Sequence, residues 1–293
     1  AVWAWFFGNE AANNKEGPKC TRPVTASGPQ APAGIIKRMT HDLFRQDAYL
    51  THCTATVTAI TPQGIVLDRT VFYPLGGGPA GDTGRLILAN GSEITIVDTR
   101  KGKTEDGRFT HEIAHQPGPD VLEMLLNSEH SSPPGLAVGE TVTACIDVER
   151  RLRMMRFHTC SHLLCHIVPQ LVNGCSITPD YARLDFNMTE PLDKDMLSQA
   201  IAGLVAQALP VTVGTITDAE LDANPALVKS MSVQPPRGSG QIRTIQIGAD
   251  TLVDLQPCGG THVANTAEIG HVIVTKIEKK SANTRRVVLG FAP

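Results

Sequence analysis

Two short segments, about a hundred residues apart, constrain this chain more than its composition does. His158-Thr-Cys-Ser-His162 sets two imidazoles four positions apart, and Cys258-Gly-Gly-Thr-His262 sets a thiol and an imidazole around a glycine pair. Three imidazoles and one thiolate form the N/S ligand set that suits tetrahedral Zn²⁺. On a helix, His158 and His162 share one face. Gly259 and Gly260 allow the tight turn that brings Cys258 and His262 inward. A fold that uses both segments must press a helix against a loop from far along the chain. Ten histidines in 293 residues give about a third of an HxxxH pair by chance, so neither segment suffices alone. The competing reading is two buried, hydrogen-bonded histidines and a free thiol. Together the segments predict one Zn²⁺ per chain on His158, His162, Cys258 and His262.

Two further histidine pairs are decoys. His111-Glu-Ile-Ala-His115 matches the HExxH of zinc proteases. That motif needs a sustained helix, and Gln116-Pro-Gly-Pro119 stops one at once. His166 follows His162 by four and is read as structural or supporting. Hydrophobic residues make up 41% and charged residues 19%, which describes a globular chain, and 293 residues suggest two domains. No apolar run reaches roughly 18–20 residues, so no membrane span is expected. Seven cysteines without repeating spacing argue against a disulfide framework and for a reducing compartment, the cytoplasm.

The first 39 residues read as a disordered extension. Ala1-Val-Trp-Ala-Trp-Phe-Phe7 lacks the basic residues of a signal peptide, and residues 8–34 are rich in Asn, Pro, Gly and Ala. Residues 40–147 carry strand patterns at 55–60, 65–67, 86–88, 91–97 and 140–146, with a loop at 131–135. Such spacing suggests a small β-barrel or sandwich. Beyond Asp147 the period turns helical through Leu152, Met154 or Met155, Leu163, Leu164 and Ile167 up to Pro169. A second helix is expected from Leu192 to about Ala208, and a short one over 218–223. Strands are expected at 211–216, 241–247, 252–255, 270–277 and 286–289. The class is α+β, with the second domain over 148–293.

Several blocks resemble one family in order. They are Val71-Phe-Tyr-Pro-Leu-Gly-Gly-Gly-Pro-Ala-Gly-Asp-Thr-Gly84, Asp147 to His158, Arg183-Leu-Asp-Phe186, Asp254 to Val263, Glu268-Ile-Gly270 and Lys276 to Lys280. Over roughly residues 40–291 the chain resembles the AlaX-type alanyl-tRNA editing proteins and the related editing domain of alanyl-tRNA synthetases. The resemblance implies an N-terminal β-barrel followed by a zinc-binding α+β editing domain. It implies a deacylase acting in trans on mischarged tRNA(Ala), chiefly Ser-tRNA(Ala), with Gly-tRNA(Ala) as a second candidate. It points to Gly76, Gly77, Gly78, Asp82, Arg183, Gly259, Gly260 and Thr261 as substrate-binding, and to Asp185 near the pocket in a catalytic or a structural part.

Selecting serine over alanine requires a buried polar group for the serine hydroxyl. Thr159 beside the first ligand is the candidate, against an ordinary helix threonine bonded to a carbonyl. Leu75 and Pro79 depart from the family pattern, and Pro79 lacks an N–H donor. The 254–256 step is placed to orient the metal loop. A net charge of −3 gives no general polyanion field, so no DNA partner is expected and tRNA must meet local cations. Arg150, Arg151, Arg153 and Arg156, and Lys276, Lys279, Lys280, Arg285 and Arg286, are the candidate phosphate contacts. A non-catalytic tRNA-binding or zinc-stabilised module is the alternative of another class.

Overall fold

The computed structural model describes residues 39–127, 135–238 and 240–293. Apart from Met39, the expected extension lies outside those residues, as do 131–134 of the expected loop. In chain order the first elements are β1 (His41–Asp42), β2 (His52–Thr61), β3 (Gly64–Leu67), β4 (Arg69–Thr70) and β5 (Gly84–Leu88). Then come β6 (Glu93–Lys103), β7 (Phe109–Pro117), α1 (Pro119–Asn127) and β8 (Thr141–Ile146). The pairings run β2–β3–β7–β6–β5–β8 and return to β2, so these six strands close on themselves. Alternation sets the inside. Cys53, Ala55 and Val57 of β2 are buried with Ile65, Leu67, Leu86, Ile94, Ile96, Val142 and Ala144.

The HExxH letters fall on β7, where a helix would have been required, and His111 is exposed. His115 is fully buried, donates Nδ1–H to the Ile65 carbonyl at 2.9 Å and meets Thr70 Oγ1 at 2.7 Å. Burial pushes its pKa down to about 4, so it is a neutral core histidine. Helix α1 corrects a reading of strands throughout 47–147. The preceding strand ends at Pro117, and Pro119 suits the first helical position.

The second half holds α2 (Val148–Ile167), β9 (Val172–Ile177), β10 (Ala182–Asn187), α3 (Lys194–Ala206), β11 (Val211–Ile216) and α4 (Asp218–Ala223). It ends with β12 (Ile242–Ile247), β13 (Asp254–Pro257), β14 (Val272–Ser281) and β15 (Thr284–Phe291). Asp147 caps α2 by accepting from the Arg150 amide at 3.1 Å, and the helix closes at Val168 before Pro169. From Met154 to Cys165 every α2 residue except Arg156 is buried. The helix is therefore central and has no single apolar stripe. It packs with α3 on the antiparallel sheet β14–β15–β10–β9, where Met155, Leu163 and Leu164 meet Leu184, Phe186, Val287 and Leu289. A second sheet, β11–β12–β13, ends at Pro257 and delivers the Cys258–His262 loop to α2.

Residues 38–293 form one compact unit. A buried ion pair ties the strand ring to α2. Arg151 donates Nε to Asp82 Oδ1 at 3.1 Å, and reaches the Ala48 and Val71 carbonyls at 3.0 and 2.7 Å. Asp82 also accepts from the Tyr73 amide at 2.6 Å. This arrangement holds the Gly-rich segment before β5 against the second half. Among the described residues no helix is long and apolar enough to cross a membrane.

Candidate metal centre

His158, His162, Cys258 and His262 each present one ligand atom, and these four atoms lie within 4.8 Å of one another. Cys258 Sγ is 3.6 Å from His158 Nε2 and 3.4 Å from His262 Nε2. Zn–N bonds near 2.0 Å and Zn–S bonds near 2.3 Å give tetrahedral edges of roughly 3.3–3.6 Å, so the donor set fits such an ion.

Every imidazole is oriented from behind. His158 Nδ1 donates to the Thr261 carbonyl at 3.2 Å, and His162 Nδ1 donates to Asp254 Oδ2 at 2.8 Å. His262 Nδ1 meets Thr159 Oγ1 at 3.1 Å, and that oxygen also accepts the Val263 amide at 3.2 Å. A carbonyl and a carboxylate can only accept, so Nδ1 of His158 and of His162 carries a proton and Nε2 of each ring faces the centre. Gln256 donates to Asp254 at 2.9 Å and steadies that carboxylate.

The electrostatics favour a cation. Burial opposes charge on Cys258, but the His158 and His262 imidazoles outweigh it and hold the thiol well below its ordinary range. Burial and neighbouring His158 keep His262 neutral. For His162, burial is overcome by Asp254 and Cys258, which push its pKa up to about 10, so a metal ion would take the place of the proton on its Nε2.

The loop is tight. A Cβ on Gly260 would lie 2.3 Å from His158 Cε1, so only glycine fits there, whereas one on Gly259 would meet only the Arg45 guanidinium at 3.2 Å. Arg243 clasps the loop through the Cys258 and Gly260 carbonyls at 2.7 and 3.0 Å. Nothing in the sequence spacing marks Arg243 or Arg45 as neighbours of this loop.

A cavity of about 100 Å³ opens beside His158 and His162, with Gly77, Gly78, Ser161, Cys175 and Gln256 in its wall. Gly77 and Gly78 adopt φ of +68° and +127°, conformations that favour glycine. Pro79 sits opposite Ile177 of β9. The contacts to β9 come from its neighbours, with the Ala80 amide donating to the Ile177 carbonyl and the Ile177 amide to the Gly78 carbonyl, both at 2.9 Å. Gly76 and Leu75 stand outside the wall, next to Lys101 and Thr99 respectively.

Other expected site residues lie elsewhere. Thr159 is fully buried behind His262 and does not line the cavity. Asp82 belongs to the buried pair with Arg151. On β10 the side chains alternate, and Leu184 takes the cavity side. Arg183 and Asp185 therefore project to the opposite face, where Asp185 receives Arg286 at 2.6 and 2.8 Å. That pairing holds the Asp185 carboxyl below its usual range. Thr261 contributes its carbonyl to His158, and its side chain is buried.

The basic clusters are mostly committed as well. Arg151 is buried, and Arg153 and Arg156 donate to the Pro179 and Ile269 carbonyls while covering the Phe291 ring. Arg285 binds backbone carbonyls, and Lys276 pairs with Glu278 at 2.6 Å. His166 is exposed at the end of α2, away from the ligand group.

Comparison with known proteins places this geometry in context. Residues 242–288 match the family described as the threonyl and alanyl tRNA synthetase second additional domain. The chain is 32% identical over 262 residues to the alanyl-tRNA editing protein AlaX-M of Saccharolobus solfataricus, covering 87% of the chain and 100% of that protein. It is 32% identical over 259 residues to AlaX-M of Methanosarcina barkeri, covering 85% and 98% respectively. It is 31% identical over 262 residues to the alanine–tRNA ligase of Metallosphaera sedula, spanning 26% of that protein.

Proposed function

The chain belongs to the family of AlaX-M alanyl-tRNA editing proteins, and from that premise we propose that it hydrolyses mischarged aminoacyl-tRNA(Ala), acting in trans, at the centre built by His158, His162, Cys258 and His262. The observation that carries the reading is the convergence of three oriented imidazoles and one low-pKa thiol beside a small cavity. Bound there, Zn²⁺ would supply Lewis acidity towards the ester carbonyl or its attacking water if one of the four ligands, such as His262, gives way, and with all four held it would order the pocket instead.

The chain's own residues do the remaining work. Thr261, Asp254 and Thr159 fix the three rings. Gly77 and Gly78 bring backbone close over the cavity, whose size suits a small side chain such as that of serine or glycine. We assign the reading of the serine hydroxyl to Ser161 in place of Thr159. Ser161 Oγ donates to the Phe157 carbonyl at 2.8 Å, so its lone pairs remain to accept from a substrate hydroxyl. Alanine would leave that buried oxygen without its partner. The described cysteines are unpaired, which supports a reducing compartment such as the cytoplasm. The non-catalytic alternative rested on the altered Gly-rich loop, and the docked Gly78–Ala80 backbone supports the catalytic reading instead.

The test is a deacylation assay on Ser-, Gly- and Ala-tRNA(Ala) with zinc-loaded protein. Release of serine with Ala-tRNA(Ala) spared is expected. An intact, zinc-loaded protein that leaves Ser-tRNA(Ala) untouched would refute the reading.

A further inference from the structure

Beside the metal centre, cations from the 43–45 turn, β12 and β6 and an aromatic ring from β7 form an arrangement that the deacylase chemistry does not use. Arg45 lies against the metal loop, where a Cβ on Gly259 would be 3.2 Å from its Nη1. Arg243 grips the same loop with its Nε buried and without a hydrogen-bond partner, and Arg45 Nε lies against Asp42 Oδ2. Lys101 continues the line. A Cβ on Gly76 would be 3.6 Å from its ammonium, and that ammonium also sits 5.7 Å from the Phe109 ring centroid. Lys103 stands over the same ring at 5.2 Å. Phe109 is 67% exposed, and it faces Lys103 across the β6–β7 ladder.

Like charges are gathered here against their repulsion. Burial, and then Arg45, pull the Lys101 ammonium below its ordinary pKa, and Arg243 is lowered chiefly by burial with Arg45 adding to it. Asp42 pairs with Arg45, yet among the described residues no carboxylate pairs with Lys101 or Lys103. Cations in a row, Lys101 and Lys103 among them without a neutralising carboxylate, suit a chain of anions. An exposed aromatic ring between lysines suits a base that has left its stack, since every base offers a π-face. A duplex would present phosphates without a free base, so the ring favours a single strand.

We propose that Arg45, Arg243, Lys101, Lys103 and Phe109 form a track for the single-stranded 3′ end of the RNA substrate, with the four cations on successive phosphodiesters and Phe109 stacked on a base 5′ of the terminal nucleotide. The proposal rests on the deacylase reading, and it places the aminoacyl end at the metal with the strand leaving over Gly76. Lys101 and Lys103 differ from most of the basic clusters that spacing alone suggested in having no carboxylate partner, while Arg45 and Arg243 are held beside the loop by Asp42 and by the Cys258 and Gly260 carbonyls.

Phe109→Ala and the double variant Lys101→Ala/Lys103→Ala change exposed side chains and should leave the melting temperature unaltered. With Ser-tRNA(Ala), Phe109→Ala should raise KM by at least about fivefold, the low end of one base–aromatic stack. The double variant should raise KM and reduce the log–log salt slope by about 1.4, two single-strand phosphates. The seryl ester of adenosine has no upstream base or phosphodiester, so its hydrolysis reads the chemistry separately. Wild-type KM and salt slope in both variants would overturn the track, and so would an equal loss on seryl-adenosine. If wild type cleaves neither substrate, the deacylase reading fails. Fluorescence anisotropy with an uncharged CCA-ended oligonucleotide then decides the track, which requires weaker binding by both variants and fails if they bind as wild type does.

Discussion

Replacing Gly260 by alanine puts a methyl group where the structure has the ring of His158. The added Cβ would lie 2.3 Å from Cε1 and 2.7 Å from Nδ1. Carbon contacts settle near 3.5 Å, so loop and ring must part by about 1.2 Å. Metal–ligand distances tolerate about 0.2 Å, far less than that displacement. Neither side can absorb it. His158 is 5% exposed on a central helix, and its Nδ1 bond runs to Thr261 of the same loop. We expect zinc affinity to fall by at least about tenfold, ~1.4 kcal/mol, the size seen when a supporting contact of a metal ligand is lost. Gly259→Ala is the internal control, because its methyl meets only the movable end of Arg45 at 3.2 Å. That variant should stay within about twofold of wild type in zinc affinity, the range of ordinary surface changes. Competition against a chromophoric chelator measures both, with circular dichroism to show the fold is kept. Wild-type affinity in Gly260→Ala, or equal losses in the two variants, would refute the reasoning.

Three other outcomes follow from the geometry. Asp254→Asn removes the charge that His162 Nδ1 donates to at 2.8 Å, and zinc affinity should drop about 10- to 100-fold in the same competition assay. Ser161→Ala should narrow the preference for Ser- over Ala-tRNA(Ala) by ~1–3 kcal/mol, whereas Thr159→Val should weaken zinc binding and leave that ratio alone; the reverse pattern would restore Thr159 as the selector. His115 has a folded pKa of about 4 against 6.5 when exposed, so the unfolded chain binds the proton first. The stability it contributes is therefore complete above pH 6.5, and ~3 kcal/mol of it is lost as pH falls towards 4. Urea unfolding at pH 7.5 and 4.5 should show that loss shrinking in His115→Gln, and an unchanged loss would place the acid sensitivity elsewhere.

The metal centre was legible because ligand spacing is a local property. Four residues on a helix share a face, and CGGTH carries its own turn, so HTCSH and CGGTH announced their meeting before any fold was known. The boundaries of α2 were equally local, through Asp147 and Pro169. The sequence sets Asp254 and Gln256 next to the loop, but Asp254 supports His162 of α2 rather than the loop itself. What failed was anything set by long-range packing. Asp82 looked like a substrate contact until Arg151, 69 residues away, claimed it in the core. Asp185 and Thr159 sit beside correct motifs, but strand alternation turns one from the cavity and the burial of α2 turns the other behind His262. Helix α1 is hidden in the sequence because Pro119, which stops a helix coming from before it, also suits the first position of the next one. Strands β9 and β10 are hard to read from the sequence because Asn173, Gly174 and Ser176 carry little strand preference of their own, and β9 takes its conformation from pairing with β10, which in turn pairs with β15.

Metal and editing chemistry are joined in one claim, and a single titration tests it. Metal-stripped protein is reloaded with Zn²⁺ in substoichiometric steps, and single-turnover deacylation of Ser-tRNA(Ala) is measured at each step. The rate should rise in proportion to bound zinc and saturate at about one equivalent per chain, and Cys258→Ala with His162→Ala should abolish both the binding and the rise. Full deacylation by stripped protein in excess chelator would contradict the account.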